Sequence, residues 1–501
     1  MKNKHRYLIL ALLLILSEIN AQHRPGICKL VASDRDTGSC LGWACAAFDN
    51  HVIGGSPFKA ATDGKHKLKN VGSVYVFSKN VDGVWEQTDE VHPDGFQAGL
   101  LFGTALSLHA DRMLIGANGD KDAADSLKDP RKGAAYIYAL NPAGKSVFLQ
   151  KIMPANRNSN DDFGSAVDIS DRYAVVGAPG RKNGTAYHSP LPGAVYVYRL
   201  DSTHTYTEQQ TLYPPDSNTF RFGQAVSLRD NRIAVSAAEP AEVYIYTFQQ
   251  EPEKWTLTAV IKPDPAKEEN FGESLCLTGQ QLVVGAGGDG WQFEGVDMPL
   301  TDSVMEQLRP DDRGNFKRIF VLNTRHCKDS LGISETEFKA KANKVEPPES
   351  RQKRMAGAGS VSIYELDTDE HWNLQARIIP ADLRTDEHFG RCVSANDSML
   401  LVGAFGDKLR EPNRKNNFYA GAAYLFRKNK DGVWKETEKI TDHPRTPWVK
   451  YAFSVALSSD NVVIGSRFEP KDNTGKNSMP GAGAIYIYQQ PATPESYSPM
   501  R

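Results

Sequence analysis

One pattern occurs seven times along this chain of 501 residues. Each copy begins with Phe-Gly or a related pair, continues through two short apolar segments, and then alternates small and aromatic residues. Repeats of this kind indicate one supersecondary unit that stacks against copies of itself. Most of the conspicuous glycines and aromatic residues are therefore expected to serve the architecture. The copies begin at Leu41, Phe102, Phe163, Phe222, Phe271, Phe389 and Tyr451.

Each copy predicts four strands. The first two are apolar and joined by a tight polar turn, as in the segment YAVVGA that starts at Tyr173 and follows such a turn. The third alternates in character, as in GAVYVY from Gly193, which is typical of a strand with two different faces. The fourth is more polar and usually ends at a proline, which suits an outer edge strand. Four antiparallel strands repeated seven times predict an all-β fold, a seven-bladed β-propeller.

The two ends of the chain predict how the ring closes. The last copy stops after its third strand, GAIYIYQQ, and lacks a fourth. The segment that starts at Gly26, GICKLVASDRDTG, aligns with the fourth strands that precede other copies. We therefore expect the N-terminal strand to complete blade seven and to hide the open sheet edges.

The Phe-Gly start, the literal Gly177-Ala178-Pro179 turn and the aromatic third strand together resemble FG-GAP repeats, as in the propeller of integrin α subunits. The resemblance covers residues 22–501 and implies a propeller that binds ligands on one face. Integrin-type repeats often carry a DxDxDG calcium loop between the first two strands. Here that turn has two to four residues, too few for the ligand spacing, so neither calcium nor any other cofactor is expected.

The N-terminus predicts secretion. Residues 1–21 combine three basic residues, a short apolar stretch and a small-residue cleavage site, which is typical of a signal peptide. No other apolar run is long enough to span a bilayer. A net charge of −2 argues against nucleic acid as a partner. The expected location is extracellular, either free or held at the cell surface by a partner.

In a secretory compartment, six cysteines could form disulfides. A bridge between Cys28 and Cys40 would tie down the closing strand. Cys45, Cys276 and Cys392 fall on inner strands, where each could equally be a buried free thiol. Sequons at Asn183 and Asn396 lie in predicted turns and are candidate glycosylation sites.

Copy five carries an insertion, residues 288–356, that breaks the repeat. It ends near the run Arg351-Gln352-Lys353-Arg354, which matches the substrate pattern of furin-like processing proteases. Cleavage would require an exposed segment. The alternative is an ordinary solvated charge cluster.

The loops that join second to third strands are long and net basic, and they share a face with the connections that enter each blade. Because binding residues concentrate on loops, this face is a candidate site for an acidic protein or a sulfated glycan. A solvated polar rim is the simpler interpretation of the same charges. Phe405 is a further exposed aromatic candidate there. The proposed contacts are Lys65, Lys67, Arg131, Lys132, Arg181, Lys182, Tyr187, Arg410, Arg414, Phe418 and Trp448.

The motif search finds no nucleophile elbow, metalloprotease helix or phosphate loop. The runs Asp369-Glu370-His371 and Asp386-Glu387-His388 are expected to be solvated loop residues rather than a catalytic pair. The sequence thus predicts a binding module for an extracellular protein or glycan, in adhesion or surface recognition. The alternatives are a hydrolase at the mouth of the propeller and a structural matrix component.

Overall fold

Each repeat forms one four-stranded antiparallel sheet, and seven such sheets make the blades of a β-propeller. A computed structural model describes residues 27–62, 64–93, 95–121, 132–155, 161–180, 192–216, 218–263, 270–288, 291–293, 353–355, 357–380, 382–409, 418–442 and 444–489. Across these ranges the regular structure is entirely β-strand. The prediction of an all-β, seven-bladed propeller is confirmed.

Within each blade the first strand is innermost and the fourth is outermost. Blade one has the strands Cys45–Phe48, His51–Ser56, Ser73–Lys79 and Trp85–Val91, and blade two has Ala105–His109, Arg112–Ala117, Ala134–Leu140 and Ser146–Ile152. Blade three has Ala166–Ile169, Tyr173–Ala178, Ala194–Leu200 and Tyr206–Leu212, and blade four has Val226–Arg229, Arg232–Ala238, Ala241–Gln250 and Glu253–Ile261. Blade five has Ser274–Leu277, Gln281–Ala286, Ser360–Leu366 and Trp372–Ile378, and blade six has Cys392–Ala395, Met399–Ala404, Ala422–Lys428 and Trp434–Ile440. Blade seven has Tyr451–Leu457, Asn461–Ser466, Ala484–Gln489 and, as its fourth strand, Ile27–Leu30.

The ring closes through the N-terminal strand, as the sequence predicts. Ile27–Leu30 pairs antiparallel with the third strand of blade seven, with Ile27 opposite Tyr488 and Leu30 opposite Ile485. Leu30 is buried in a cluster that also contains residues of blades seven and one. The last blade is therefore built from both ends of the described chain, and its outer edge is covered.

The recurring Phe and Gly residues make the contacts between blades. Phe102 is fully buried and packs edge-on against Tyr136, with ring centroids 5.3 Å apart. Gly164 has a φ of +88°, which a side chain would strain. A Cβ added to Gly116, on the second strand of blade two, would lie 2.0 Å from the carbonyl oxygen of Gly164 in blade three. The repeat therefore conserves its glycines because neighbouring backbones touch.

A buried acid, a lysine and a tyrosine support the loops of several blades. In blade two, the Asp120 carboxylate lies 2.7 Å from Lys151 Nζ, and the Tyr136 hydroxyl donates to it at 3.2 Å. Blade seven repeats the arrangement with Glu469, Lys29 and Tyr486. Blade six does so with Asp407 and Lys439 at 2.6 Å. Blade one reverses the charges, because Lys59 occupies the loop position and Glu90 the outer strand, 3.5 Å apart.

The innermost strands are joined to one another by side chains. The Leu228 amide donates to the Asp168 carboxylate at 2.7 Å, and the Leu277 amide donates to the Ser227 hydroxyl at 2.9 Å. The sulfur of Cys276 continues the series by accepting from the Ala395 amide at 3.3 Å. These bonds fix the spacing of the first strands around the central channel.

A second compact unit consists of residues 291–355 and 411–417. Its described part is an antiparallel pair, Trp291–Phe293 with Lys353–Met355. Two short hairpins lie in the loops of the propeller: Ala61–Thr62 pairs with Lys67–Leu68, and Lys408–Leu409 pairs with Phe418–Tyr419. Among the described residues, no helix long and apolar enough for a membrane crossing is found.

Candidate functional site

Two sets of loops meet on one face of the propeller, which we call the loop face. One set joins second to third strands, and the other enters each blade before its first strand. The Gly119 amide donates to the Leu100 carbonyl, the Gly406 amide to the Glu387 carbonyl, and the Phe468 amide to the Val449 carbonyl, all at 3.1 Å. In blades two, six and seven, these bonds place the two sets of loops on the same face, as expected.

The central channel opens on the loop face as a cavity of about 660 Å³. This volume lies within the range of ordinary ligand pockets. Every blade contributes the residue that follows its Phe-Gly pair or, in blades one and seven, the equivalent pairs Leu41-Gly42 and Tyr451-Ala452. We call these seven residues the mouth ring. They are Trp43, Thr104, Ser165, Gln224, Glu273, Arg391 and Phe453.

An arginine rests on three aromatic rings at one side of the mouth ring. The guanidinium carbon of Arg467 lies 3.9 Å from the ring centre of Phe453, 4.8 Å from that of Trp43 and 4.5 Å from that of Phe468. Trp43 and Phe453 contact each other at 5.1 Å. Cation–π contact of this kind stabilises a charge and fixes its orientation.

A lysine is held in the same way beside it. Lys450 Nζ lies 5.0 Å from the ring centre of Phe405 and 5.8 Å from that of Phe468. His388 stacks on Phe405, with ring centres 4.8 Å apart and planes 7° from parallel. We call Trp43, Phe405, Phe453, Phe468, Lys450 and Arg467 the aromatic–cation arc.

The arc carries positive charge that no carboxylate in the described part of the chain neutralises by an ion pair with Arg467 or Lys450. Arg391 is different, because its Nε lies 3.1 Å from Glu273. Burial lowers the pKa of Arg467 to about 10, with a further contribution from Arg391, so this guanidinium remains protonated at neutral pH. Burial and the positive charges of Arg467 and Arg391 lower the pKa of Lys450. The arc is thus suited to an anion.

The other side of the channel is polar and uncharged along the mouth ring. Thr104, Ser165 and Gln224 line it, together with Asn118 from the second-to-third loop of blade two, and Asp162 and Arg221 add one charge of each sign beside them. The Asn118 amide nitrogen donates to the Ser165 hydroxyl at 3.1 Å. Its buried carbonyl oxygen, Oδ1, accepts no hydrogen bond from any described residue.

A comparison with known protein families identifies the repeat from which the blades are built. The family model for the FG-GAP repeat matches residues 85–138, 147–198 and 372–426, each running from an outer strand to the third strand of the next blade. The chain carries FG-GAP repeats. The matched stretches contain the Phe-Gly pairs at Phe102, Phe163 and Phe389, and each pair is followed directly by a mouth-ring residue.

No curated protein matches the chain. Among solved structures, it is similar to a protein from Lactobacillus plantarum, with 13% identity, a TM-score of 0.41, and coverage of 88% of this chain and 99% of that one. It is also similar to PpgL, the periplasmic gluconolactonase of Pseudomonas aeruginosa, with 12% identity, a TM-score of 0.41, and coverage of 84% and 95%.

Those residues proposed from sequence that the structure describes lie on the loops rather than at the mouth ring. Lys65 and Lys67 are exposed in the hairpin of blade one. Lys132 is half-buried, and its amide donates to the Asp120 carbonyl. Trp448 is 39% exposed and contacts Tyr419 edge-on at 5.7 Å. Phe418 lies in a short strand. Six others fall outside the described residues: Arg131, Arg181, Lys182, Tyr187, Arg410 and Arg414.

The modification sites stay predictions. Asn396 lies in the turn between the first two strands of blade six, and its side-chain oxygen accepts from the Met399 amide at 2.8 Å. Lys353 and Arg354 belong to a short strand opposite Phe293 and Gln292. Three further positions, Asn183, Arg351 and Gln352, lie outside the described residues.

The expected disulfide between Cys28 and Cys40 is not formed, and both residues are free thiols in the structure. Cys40 donates a weak hydrogen bond to the Gly38 carbonyl at 3.4 Å, and burial raises its pKa to about 11. Cys45 and Cys392 are also free, and burial raises the pKa of each to about 12. These thiols are packed as small apolar groups.

The expectation that both acidic runs are solvated is wrong for the second. Asp369 lies in an exposed turn, as expected. Glu387, however, is only 2% exposed, and burial together with the charge of Asp407 raises its pKa to about 7. Burial lowers the pKa of His388. Both residues precede the Phe-Gly pair of blade six, where the entering loop is covered by the loop that contains Phe405.

The aromatic–cation arc was missed by sequence reasoning, apart from Phe405. One signal was available. The residue after the Phe-Gly pair is small or polar in blades two to four, whereas it is Trp43 in blade one and Phe453 in blade seven. Two large rings at a position that the repeat does not constrain mark a departure from the architectural pattern.

Proposed function

We propose that this protein is an extracellular binding module that holds a protein or glycan ligand at the mouth of the central channel, on the loop face. The predicted signal peptide supports the extracellular setting. The FG-GAP propeller provides a rigid ring on which long loops and seven mouth-ring side chains converge. Sites of this kind form where a scaffold positions variable loops.

The observation that carries the proposal is the aromatic–cation arc. Aromatic residues and arginine are the side chains that dominate binding energy at interfaces. Here Trp43 and Phe453 line the cavity and contact each other, Arg467 lies on both rings, and all three residues are half-buried. The propeller architecture does not require aromatic residues at the mouth ring, because Thr104 and Ser165 occupy the equivalent positions in other blades.

We favour binding over catalysis because of the kind of charge at the mouth. Among the charged residues that line the cavity, Glu273 is engaged by Arg391 at 3.1 Å, and Asp162 is buried. Glu387 has a pKa suited to proton transfer, but it lies outside the residues that line the cavity and beside the charges of Asp407 and Lys439. Catalysis at the mouth would require acid–base groups within reach of a bound ligand.

The test is capture by the purified full-length protein on intact cells and extracellular matrix from the organism that encodes it. The variant Trp43→Ala/Phe453→Ala removes both mouth-ring rings. Leu374→Ala is the control, since Leu374 is 57% exposed on the outer strand of blade five. We expect the double variant to lose at least about tenfold in retained protein, whereas the control retains the parent level.

Three results would overturn the proposal. Equal retention of the double variant and the control would place binding elsewhere. Release of cleaved products from the bound material would establish the hydrolase alternative. Self-association in sedimentation experiments, without capture of any other molecule, would establish a structural component.

A further inference from the structure

A buried carboxylic acid occupies a position in blade six that is apolar in two other blades. The Glu387 carbonyl accepts a hydrogen bond from the Gly406 amide at 3.1 Å. The carbonyls of Leu100 and Val449 accept the equivalent bonds in blades two and seven, also at 3.1 Å. Leu100 and Val449 are each 1% exposed, and Glu387 is 2% exposed. The fold does not require an acid here, because an aliphatic side chain fills the same position in blades two and seven.

Residues 405–407, which we call the covering loop, press directly on this acid. A Cβ added to Gly406 would lie 3.0 Å from the Cα atom of Glu387. The Phe405 ring stacks on the imidazole of His388, with ring centres 4.8 Å apart. The closed covering loop therefore keeps water from the Glu387 carboxyl group, and a charge there loses its hydration.

The charges around Glu387 do not balance when it is ionised. Lys439 Nζ lies 2.6 Å from both Asp382 and Asp407, and Arg445 forms an ion pair with Asp407. Two cations thus already serve two carboxylates. The Glu387 Oε2 atom is buried and has no hydrogen-bond partner among the described residues. Ionisation of Glu387 would add a buried carboxylate without a cation of its own, which is costly.

The other titratable groups that face this cluster do not supply the missing cation. Asp386 lies 3.6 Å from Lys408, so that lysine has its own carboxylate. Burial lowers the pKa of His388, which is therefore neutral at neutral pH, and raises the pKa of the Tyr424 hydroxyl. The groups that face Glu387 from the entering loop, the covering side and the third and fourth strands are Arg384, Asp386, His388, Lys408, Tyr424 and Glu436.

We infer that Glu387 is a pH-dependent latch for the covering loop, closed when its carboxyl group is protonated and released when it ionises. The inference rests on the proposed function and names a regulation of the same site. The Phe405 ring centre lies 5.0 Å from Lys450 Nζ and 5.6 Å from the ring centre of Phe453 at the mouth. Release of the covering loop breaks both contacts, so the mouth should hold its ligand more tightly in mildly acidic solution.

The direction and size of the effect follow from linkage. Burial and the charge of Asp407 raise the pKa of Glu387 to about 7 while the covering loop is closed. In an open, hydrated loop the acid returns toward its ordinary pKa of 4.5. The ratio of open to closed loop therefore rises about tenfold per pH unit between these two values and levels off above the higher one.

Hydrogen exchange of the full chain, followed by mass spectrometry between about pH 5 and 8, measures this opening. The reporter is the Gly406 amide, and protection is corrected for the intrinsic pH dependence of exchange. We expect its protection to fall about tenfold per pH unit up to about pH 7. The Gly119 amide is the internal reference, because it makes the equivalent bond to the Leu100 carbonyl, where no acid lies beneath. Its protection should not change in this way.

Variants assign the effect to one carboxyl group. Glu387→Gln and Glu387→Leu should each give the Gly406 amide a protection that is independent of pH, and Glu387→Leu restores the aliphatic character found in blades two and seven. Glu370→Gln is the matched control, because it makes the same change at an exposed residue of blade five and should keep the parent profile. If one Glu387 variant melts at a much lower temperature than the parent, the other decides the result.

The inference is overturned if the parent shows no pH-dependent protection at Gly406, if Gly119 loses protection equally, or if Glu387→Gln and Glu387→Leu keep the parent profile. Capture on cells, repeated at about pH 6 and 8, should favour the lower pH for the parent and be equal for Glu387→Leu. A pH-dependent covering loop in a protein that captures nothing would keep the latch and remove the proposed function. Capture that is lost in Trp43→Ala/Phe453→Ala, with protection at Gly406 independent of pH, would keep the proposed function and remove the latch.

Discussion

Replacement of Lys29 by Met should destabilise the propeller strongly, because it strands a buried carboxylate. Lys29 Nζ lies 3.0 Å from Glu469, and the Glu469 side chain is 1% exposed. The Tyr486 hydroxyl donates to the same carboxylate at 3.1 Å. Met keeps most of the aliphatic length of Lys and removes only the charged end, so packing in the closing strand changes little.

The magnitude follows from the burial of the acid. Breaking a buried ion pair by removing one partner costs about 3 to 5 kcal/mol, since the remaining charge is uncompensated. The Lys29 side chain is 19% exposed, so water can reach the vacated position and the cost should lie near the lower value. The double variant Lys29→Met/Glu469→Gln removes both charges and should recover to within about 1 to 2 kcal/mol of the parent.

Urea unfolding of the parent, both single variants and the double variant measures this coupling. Fluorescence and circular dichroism should report coincident transitions before a free energy is assigned. The control is Lys254→Met, an exposed lysine on the outer strand of blade four, which should change the free energy of unfolding by less than about 0.5 kcal/mol. Purely additive effects of the two single changes would refute the reasoning, because the pair would then not be coupled.

Two further predictions concern the same framework. Burial and the charge of Asp407 raise the pKa of Glu387 to about 7 in the folded state, so the unfolding free energy should fall as pH rises from about 4.5 to 7. Glu387→Gln should abolish that fall and exceed the parent by roughly 2 to 3 kcal/mol at pH 8, while matching it near pH 4; equal pH profiles in urea unfolding would contradict this. Gly116→Ala should lower the melting temperature markedly, because its Cβ would lie 2.0 Å from a carbonyl of the next blade, whereas Gly279→Ala, with its nearest atom at 4.0 Å, should not. Similar calorimetric shifts for the two glycine variants would show that the blades can separate to admit the methyl group.

The repeat predicts the architecture because every copy must bury the same surfaces. Phe102 and its equivalents recur since each fills the space between two blades. A glycine recurs at the position of Gly116 in every blade but the fourth, which has Ser236, since the neighbouring backbone leaves little room for a Cβ. The closing strand was predictable because the last copy of the repeat lacks a fourth strand, which another part of the chain must supply. These inferences depend on local pattern alone.

The site was harder to predict because its residues are brought together by the ring. Arg467 reads in sequence as one charge in a basic loop, and only the structure places it on three aromatic rings. Likewise, Glu387 reads as a solvated acid, although the loop that contains Phe405 covers it. The disulfide prediction failed for a related reason, because Cys28 lies in the closing strand and Cys40 in a separate buried turn, where each is packed as a free thiol.

The closing strand and the mouth ring depend on the same contact between the ends of the chain. Trp43 belongs to the first blade and Phe453 to the last, yet their ring centres are 5.1 Å apart. They meet at the junction where Ile27–Leu30 completes blade seven and packs beside blade one. A ligand that contacts both rings therefore binds the closed propeller. Because linkage is reciprocal, the free energy by which closure strengthens ligand binding equals the free energy by which the ligand stabilises closure. The departure from the repeat at Trp43 and Phe453 thus places the proposed binding site at the one blade junction that depends on the N-terminal strand.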